Sequence, residues 1–297
     1  MSFRITAIGE ILYDIYPDQK KLGGAPFNFI YHVWKILGKA NFISSVGTDD
    51  NGKEIISHLK TIGFPTNHIY IDKNYPTGTV LVTLDENRTP IFTMSGYNCF
   101  DYFVLDHKSV KLIEEETDLL YFGTFGQRNE TARKTIQSTF GKNIKYFCDL
   151  NLRHEFFTKE MIEESLRTSN VVKINNNEMS VLQSYFNLST DLNTAIKQLI
   201  NKFKIDLLAV TLGKDGAIVS NGKYFNNYKT ESANVVDTLG AGDAYSAILC
   251  IGYLYNMDLE KINRIANQFA LEICMISGAL ASDEVYEKYK LLIQTNE

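Results

Sequence analysis

Short apolar runs rich in β-branched and aromatic residues recur along the whole chain. Six of them are typical of strands buried on both faces of a sheet: FRITAIG, NFISSVG, DLLYFG, IKYFCDL, NVVKI and DLLAVTL. Helical patterns lie between these runs, over residues 26–37, 51–62, 106–116, 158–166 and 192–203. Strands that alternate with helices in this way predict an α/β fold with a doubly wound, mostly parallel sheet.

Two segments depart from this alternation. Residues 77–84 and 90–94 have the composition of strands and flank a polar turn at 85–89, so they predict a hairpin, and ILYDIYP near the start is a further short strand candidate. We expect these pieces, about residues 10–21 and 75–98, to form a small β-sheet lid over a pocket. Because the sequence has no internal repeat and no Pro/Ser-rich linker, we expect a single domain over residues 1–297 that includes the lid.

Composition narrows the class of protein. With 44% hydrophobic residues, 22% charged residues and only 5 prolines in 297 residues, the whole chain is expected to fold. A net charge of -5 argues against a standing attraction to nucleic acid or to an anionic membrane, so any phosphate must be held at a local site. The longest apolar stretch, 245–255, is too short to span a bilayer, and the first residues do not resemble a signal peptide. We therefore expect a cytoplasmic protein without membrane association.

Cysteine spacing gives no sign of a metal site or of a disulfide framework. The four cysteines lie far apart and form no C-x-x-C pair. We expect reduced and buried thiols at Cys99, Cys148, Cys250 and Cys274.

The strongest candidate site is DTLGAGD at 237–243, a glycine-rich turn that opens an apolar helix. Gly240 and Gly242 let a ligand approach the backbone closely, and the free N–H groups at a helix start favour an anion. We expect the helix dipole to keep Asp243 ionised at neutral pH. An ionised carboxylate beside a phosphate site indicates a group that accepts a proton, although a plain helix cap is the simpler interpretation of the same turn. Asp237 and Thr238 add oxygen atoms suited to a cation.

Two other phosphate-binding motifs can be dismissed. The turn at 237–243 is not a dinucleotide fingerprint, because Tyr245 replaces the third glycine, and this argues against a nicotinamide oxidoreductase. Residues 47–54 match G-x-x-x-x-G-K but end in Glu54, where a P-loop needs Ser or Thr, and Asp49 and Asp50 would repel phosphate. We interpret that segment as a strand-to-helix connection.

Taken together, the motifs resemble the ribokinase-like (PfkB) carbohydrate kinase family, whose C-terminal signature is D-T-x-G-A-G-D. GGAPFN at 23–28 is similar to the glycine pair and downstream Asn of the fructokinases in this family. The middle of the chain matches as well, with D-x-N-x-R at 149–153, K-x-N-x-x-E at 173–178 and TLGKDG at 211–216. The resemblance covers nearly the whole chain. It implies a ribokinase-like fold and an ATP-dependent sugar kinase, most similar to fructokinases.

The resemblance also implies the roles of the catalytic and metal-binding residues. Asp243 would be the general base for the sugar hydroxyl, and the amides of Gly240, Ala241 and Gly242 would stabilise the transferring phosphoryl group. Asn175 and Glu178 would orient Mg²⁺ through its waters. Their spacing fits a capping box at a helix start equally well, and that interpretation stays open.

Substrate contacts follow from the same resemblance. The residues expected to bind the sugar are Asp14, Gly24, Asn28 and Arg153. Those expected to bind ATP are Thr211, Gly213, Gly216 and Asn267, the last of them in the final predicted helix, over 265–280. A monovalent cation such as K⁺ would bind at Asp237 and Ser282. Each of these residues also has a purely structural interpretation, such as a solvated edge position for Asp14 or a surface ion pair for Arg153.

Several functions stay open at this point. A fructokinase is the first hypothesis, while a ribokinase, a 2-keto-3-deoxygluconate kinase or a nucleoside kinase would share the same motifs. A hypothesis of a different class is a non-catalytic sugar- or nucleotide-binding protein on the same fold. The expected partners are a sugar and ATP, and a homodimer through the lid is a further expectation.

Overall fold

Thirteen strands and ten α-helices lie in the part of the chain that this computed structural model describes, residues 3–84, 90–94, 96–153 and 155–294. The strands are β1 (Ile5–Ile8), β2 (Leu12–Ile15), β3 (Lys20–Gly23), β4 (Asn41–Gly47), β5 (Ile69–Asp72), β6 (Gly78–Leu84), β7 (Pro90–Met94), β8 (Leu119–Gly123), β9 (Lys145–Asp149), β10 (Val171–Asn175), β11 (Leu207–Thr211), β12 (Ala217–Ser220) and β13 (Phe225–Tyr228). The helices are α1 (Ala25–Leu37), α2 (Asp50–Thr61), α3 (His107–Glu116), α4 (Glu130–Gln137), α5 (Lys159–Thr168), α6 (Asn176–Phe186), α7 (Leu192–Phe203), α8 (Ala241–Leu254), α9 (Leu259–Cys274) and α10 (Asp283–Gln294).

The main sheet runs in the order β13-β12-β11-β10-β9-β8-β1-β4-β5. Neighbouring strands pair in parallel from β11 through to β5, and the antiparallel strands β12 and β13 extend one edge. The six strands predicted from apolar runs all belong to this sheet. The prediction of an α/β fold with a mostly parallel sheet is therefore confirmed.

Both faces of the main sheet are covered, which explains why its strands are apolar along their whole length. Tyr121 of β8 packs in the core that includes α1, α8, α9 and α10, whereas Phe122 packs in the core that includes α3 to α7. Side chains of consecutive strand residues point to opposite faces, so each strand supplies both cores. This arrangement brings the carboxyl ends of the parallel strands to one edge, where a ligand crevice is expected in such folds.

Capping side chains mark where the predicted helices begin. The side chains of Asp49, Asp106, Thr158 and Asp191 accept hydrogen bonds from backbone N–H groups in the first turns of α2, α3, α5 and α7. The role of Asp49 confirms that residues 47–54 are a strand-to-helix connection, since its carboxylate also accepts hydrogen bonds from the N–H and hydroxyl of Thr77.

The sequence pattern missed elements at the periphery. Strands β3, β5, β12 and β13 and helices α4 and α10 were not predicted, because they are short or lie at edges where the apolar periodicity is weak. The start of α6 was predicted only as the alternative interpretation of Asn175 and Glu178. The helix predicted over 265–280 was wrong at its end. Helix α9 ends at Cys274, and α10 follows after a turn that contains Gly278.

A smaller sheet of strands β3-β2-β6-β7 forms the predicted lid. Its inner face packs Leu12 and Val80 against Phe100 and Phe125. Close by, Arg128 makes an ion pair of 2.7 Å with Asp101, and both side chains are almost completely buried. The lid therefore has a hydrophobic core of its own and a fixed attachment. The hairpin turn predicted at 85–89 lies outside the described residues, and the interpretation of the chain as a single domain stays a prediction.

Two further expectations concern membranes and cysteines. Over the described ranges, no helix combines the length and the apolarity that crossing a membrane would require. Cys99, Cys148 and Cys250 are buried free thiols and Cys274 is a half-buried one. The predicted free thiols are thus present.

Candidate active site

Helix α8 begins with the glycine-rich turn that the sequence singled out. Gly240 is the N-cap residue and has a left-handed backbone, with φ of 76°. A Cβ placed on it would lie 2.3 Å from the Cβ of Ala279, so both the backbone angle and the packing require glycine. The N–H of Ala241 makes only a long hydrogen bond of 3.4 Å to Thr238. Since the N–H groups of a first helical turn have no acceptor within the helix, the turn can bind an anion.

Asp243 lies in this first turn and contacts helix α1. Its Oδ2 accepts a hydrogen bond of 2.8 Å from Asn28 Nδ2. Burial, followed by the charge of Asp149, raises the pKa of Asp243 to about 7. Desolvation therefore outweighs the helix dipole, so Asp243 is less ionised near neutral pH than the dipole alone would make it. In the part of the chain that the structure describes, the hydrogen bond found for the Asp243 side chain comes from Asn28 and not from the backbone of α8, so the interpretation of Asp243 as a cap is not supported.

A buried ion pair lies beneath the turn. Lys173 Nζ donates a hydrogen bond of 3.1 Å to Asp149 Oδ1, and the two side chains are 9% and 1% exposed. Ser246 Oγ of α8 donates to the other oxygen of Asp149 over 2.7 Å. The ammonium group reaches the glycine-rich turn, since a Cβ on Gly242 would lie 2.9 Å from Nζ. The pair thus joins the end of β9 and the middle of β10 to the start of α8.

The charge of Lys173 is fixed by its surroundings. Burial disfavours the ammonium form, but the charges of Asp149, Glu178 and Asp243 outweigh that effect and raise the pKa of Lys173. The turn that can bind an anion therefore has a permanent positive charge behind it.

Acidic side chains lie on the lid side of the site. Asp14 of β2 is 6% exposed, and burial raises its pKa to about 6. Glu10 follows β1 and is 2% exposed, and burial raises its pKa to about 8. The charge of Arg153, which is exposed, opposes the shift at Glu10, Asp14 and Asp243 alike. Arg153 is thus the cation that these three acids share.

Gly24 and Asn28 belong to the first turn of α1. Gly24 is the N-cap residue of α1, and its carbonyl accepts a hydrogen bond of 2.8 Å from the N–H of Asn28. Asn28 is 3% exposed, and its Oδ1 has no hydrogen-bond partner. Because a buried amide oxygen is costly to leave unpaired, this oxygen is suited to a donor on a ligand.

Asn175 and Glu178 form the capping box that was left open as an alternative. Asn175 Oδ1 accepts from the N–H of Glu178 over 2.9 Å, and Glu178 Oε2 accepts from the N–H of Asn175 over 2.7 Å. Glu178 Oε1 accepts from the N–H of Leu152 over 2.9 Å. No group of three or more His, Cys, Asp or Glu residues suited to a metal is found in the described ranges. A carboxylate oxygen has two lone pairs, so this pair fits contacts with metal-bound water and does not fit direct ligation.

The predicted nucleotide residues divide into two sets. Thr211 pairs in register with Asn175, so it lies at the strand edge that carries the rest of the site, and Gly213 and Gly216 form the turn that follows it. Asn267 is different, because its amide donates two hydrogen bonds of 2.8 Å to Asn263. Asn263 in turn bonds to β12 and to Asn226 of β13. Asn263 therefore holds α9 against the edge of the sheet, while Asn267 Oδ1 accepts a hydrogen bond of 3.3 Å from Thr230 Oγ1, in the loop that leads from β13 to the glycine-rich turn.

Asp237 is the residue for which a monovalent cation was predicted. Its Oδ2 lies 3.2 Å from Lys21 Nζ, and its Oδ1 accepts a hydrogen bond of 3.0 Å from the N–H of Leu239. Ser282 is exposed just before α10. The carboxylate already has a cationic partner from the protein, so this arrangement disagrees with the prediction of a metal ion at Asp237.

Comparison with known proteins can now be set beside this geometry. The model of the pfkB family carbohydrate kinases matches residues 4–284 of the chain. The chain belongs to this family. The resemblance stated from the motifs is confirmed, and the protein is an ATP-dependent carbohydrate kinase.

Individual relatives of this pfkB-family kinase cover nearly its whole length. A fructokinase from Salmonella typhimurium is 26% identical over an alignment of 296 positions, which covers 95% of this chain and 94% of that one. A putative sugar kinase from Pyrococcus horikoshii is 29% identical over an alignment of 312 positions, gaps included, which covers 96% of this chain and 95% of that one. Its crystal structure in complex with ATP has a TM-score of 0.80 and 25% identity, covering 97% of this chain and 99% of that chain.

A more distant structure shows the same fold. It is a double mutant of the fructokinase from Vibrio cholerae with fructose, ADP and a potassium ion bound, and it has a TM-score of 0.77 at 21% identity. It covers 96% of this chain and 98% of that chain. The ribokinase-like architecture is therefore shared well beyond the range of close sequence similarity.

Sequence reasoning gave no role to four charged residues around this pfkB-family site: Glu10, Lys21, Asp149 and Lys173. Asp149 and Lys173 carried a signal, because Asp149 is a charged residue at the end of buried strand β9 and Lys173 is a charged residue in the middle of buried strand β10. Glu10 comes two residues after the first buried strand and so carried a similar signal. Lys21 carried none, since its strand is short and it lies far from residue 237 in the sequence.

We expect Gly240→Ala to destabilise the kinase more than a matched glycine substitution. Gly141 has nearly the same backbone angle, φ of 78°, but a Cβ there would meet nothing within 4 Å. Gly141→Ala should lower the free energy of unfolding by about 1–2 kcal/mol, the strain of a left-handed residue. Gly240→Ala adds the collision with Ala279 and should lower it by a further ~1–3 kcal/mol. Urea denaturation measures both, and equal losses would contradict this packing.

Proposed function

We propose that this kinase transfers the γ-phosphoryl group of ATP to a hydroxymethyl group of fructose, with Asp243 as the general base. The observation that carries the proposal is the position of Asp243. It is a partly buried carboxyl group with a pKa of about 7, held by Asn28 in the first turn of a helix that can bind an anion. A base with a pKa near the working pH combines a useful ionised fraction with a strong affinity for the proton.

The first step assigned to the protein is removal of a proton. The hydroxyl of the sugar would lie against the free oxygen of Asp243, while Asn28 Nδ2 holds the other oxygen. As the oxygen attacks the γ-phosphorus, its proton passes to the carboxylate. The bond from the γ-phosphorus to the bridging oxygen breaks at the same time, and ADP leaves with that electron pair. A positioned base of this kind typically contributes roughly 10²–10⁴-fold to the rate.

The glycine-rich turn would stabilise the charge on the group in transit. The amides of Gly240, Ala241 and Gly242 are the donors, and they need no reorganisation because α8 fixes them. Lys173 adds a positive charge behind Gly242, where its side chain is only 9% exposed and solvent screens the charge poorly. Phosphoryl transfer depends mostly on positioning and electrostatics, which matches what this turn can supply.

Magnesium would be held indirectly. When bound to ATP, Mg²⁺ neutralises charge on the phosphate oxygens. Asn175 and Glu178 would accept hydrogen bonds from its waters through lone pairs that the capping box does not use. The nucleotide itself would lie along the turn at Thr211, Gly213 and Gly216. Asn267, which accepts a hydrogen bond from Thr230, would border the adenine.

The sugar would lie between α1 and the lid. Asp14, with a pKa of about 6, is largely ionised at neutral pH and can accept hydrogen bonds from two hydroxyl groups. The unpaired Oδ1 of Asn28 can accept a third, and Gly24 lines the same turn. Arg153 supplies a positive charge to this acidic side, where a substrate that carries several hydroxyl groups would otherwise meet only acceptors.

Fructose is proposed over other sugars on two grounds. The GGAPFN segment is similar to that of fructokinases, and the relative from Salmonella typhimurium named fructokinase aligns over 95% of the chain. A ribokinase or a 2-keto-3-deoxygluconate kinase is the alternative within the family. A non-catalytic binding protein would need damage to the base or to the anion-binding turn, and both are intact.

The proposal includes a homodimer through the lid. On the outer face of β6, Leu81 is 49% exposed, while its neighbours Val80 and Val82 are buried. An apolar residue on an open sheet face is what a pairing surface would use. Sedimentation that shows a monomer at micromolar concentration would contradict this part of the proposal.

Replacing Asp243 with Asn should leave the fold intact and reduce kcat/KM for phosphorylation by roughly 10²–10⁴-fold, because the amide cannot take the proton. In the wild type, kcat/KM should rise with pH through about 7 as Asp243 loses its proton. A coupled assay of ADP release measures both. The matched control is Asp258→Asn at the start of α9, where the side chain makes no cap hydrogen bond. Wild-type turnover in Asp243→Asn, or equal losses in both variants, would contradict the proposal.

A panel of acceptors tests the substrate directly. ADP release should be fastest, by kcat/KM, with fructose, when it is compared with ribose, 2-keto-3-deoxygluconate and adenosine at saturating ATP. Faster turnover of another member would reassign the sugar while keeping the kinase. Binding of sugar and ATP without any ADP release would favour the non-catalytic alternative.

A further inference from the structure

Lys21 reaches from the lid to the loops that support the anion-binding turn. It lies on β3, and its Nζ is 3.2 Å from Asp237 Oδ2 and 3.0 Å from Ser277 Oγ. The side chains of Lys21 and Asp237 are only 16% and 24% exposed. This ion pair is therefore shielded from solvent far more than a surface pair, so it can have a real effect on structure.

Asp237 connects two loops that meet at the turn. Its carboxylate accepts hydrogen bonds from the N–H of Leu239, at 3.0 Å, and from the N–H of Gly278, at 3.2 Å. The residue after Gly278 is Ala279, on which Gly240 packs. The position of the anion-binding amides thus depends on Asp237 and on whatever cation neutralises it.

An uncompensated carboxylate at this place would work against phosphate binding. Asp237 lies three residues before Gly240, and its charge would repel the anion that the turn receives. Burial opposes ionisation, but the hydrogen bonds from Leu239 and Gly278 and the charge of Lys21 keep the pKa of Asp237 below its usual value. A cation is thus required here, and the protein supplies one from its own chain.

We propose that the Lys21 ammonium is a tethered cation that takes the place of a monovalent metal ion at Asp237, so that the kinase works without K⁺. Lys21 is then a positioning residue, since it acts on the anion-binding amides through Asp237 and Ser277. Lys21 of β3 also pairs in register with Asp14 of β2. The same side chain therefore links the sugar side of the lid to the phosphate side of the site.

The kinetic part of the test rests on the proposed function. Sugar phosphorylation is measured in choline chloride and in about 100 mM KCl at equal ionic strength. Wild-type kcat should differ by less than about 2-fold between the two salts. Lys21→Met should lose roughly 10-fold or more in choline chloride, and KCl should restore most of the loss, because K⁺ can then reach Asp237.

The matched control is the neighbouring lysine. Lys20 is on the same strand but bonds to Asn51 and Glu54 at the outside of the lid. Lys20→Met should behave like the wild type in both salts. Any one of three results would overturn the inference. They are strong activation of the wild type by K⁺, full activity of Lys21→Met without K⁺, and a loss of activity in Lys21→Met that K⁺ does not restore.

A second readout needs no catalysis. The melting temperature of Lys21→Met should rise by about 2 °C when KCl replaces choline chloride, because K⁺ binds only the folded state. The wild type and the double variant Lys21→Met/Asp237→Asn should not respond. If no sugar is phosphorylated but this pattern is found, the proposed function fails while the inference stands. If phosphorylation occurs and the melting temperature of Lys21→Met does not change with K⁺, the inference fails while the proposed function stands.

Discussion

The buried ion pair between Lys173 and Asp149 is the interaction on which the rest of the site depends. It lies at the carboxyl end of the parallel sheet, where β9 and β10 pair in register at these two residues. Burying two charges is unfavourable unless each is paired and hydrogen-bonded, and both conditions are met through Ser246 and the pair itself. Removing either partner would leave an uncompensated charge directly beneath the start of α8. A buried charged pair thus supports the helix terminus at which the proposed phosphoryl transfer takes place.

From this pair, contacts extend to elements far apart in the sequence. Helix α8 reaches α1 through the hydrogen bond between Asp243 and Asn28, and Gly240 packs on Ala279 beyond α9. The lid joins through Lys21 and Asp237. Acids outnumber bases around the site, so a phosphate can bind only because Lys173, Lys21 and Arg153 each offset particular carboxylates. The raised pKa of Asp243 follows from burial first and then from the charge of Asp149.

Much of the fold was predictable because strands buried on both faces leave an unmistakable apolar pattern. The glycine-rich turn was equally clear, since Gly240 and Gly242 come directly before a long apolar run that continues as a helix. The pKa of Asp243 was not predictable, because it depends on desolvation and on Asp149, which arrives from another strand. The same holds for the capping box of Asn175 and Glu178, whose spacing fits two interpretations, and for Lys21, whose partner is more than 200 residues away in the chain.

The central claim is that Asp243 is a desolvated carboxyl group poised near neutrality. The most direct measurement is the free energy of unfolding of the wild type and of Asp243→Asn from about pH 5 to about pH 8. Because the folded-state pKa of about 7 lies above the ordinary value of 3.8, the stability that the protonated group provides is lost as pH rises through 7. The wild type should therefore lose about 1–2 kcal/mol relative to Asp243→Asn over this range, less than full linkage would give because the carboxyl keeps some solvent contact. A difference that is independent of pH, or that moves in favour of the wild type, would contradict the account.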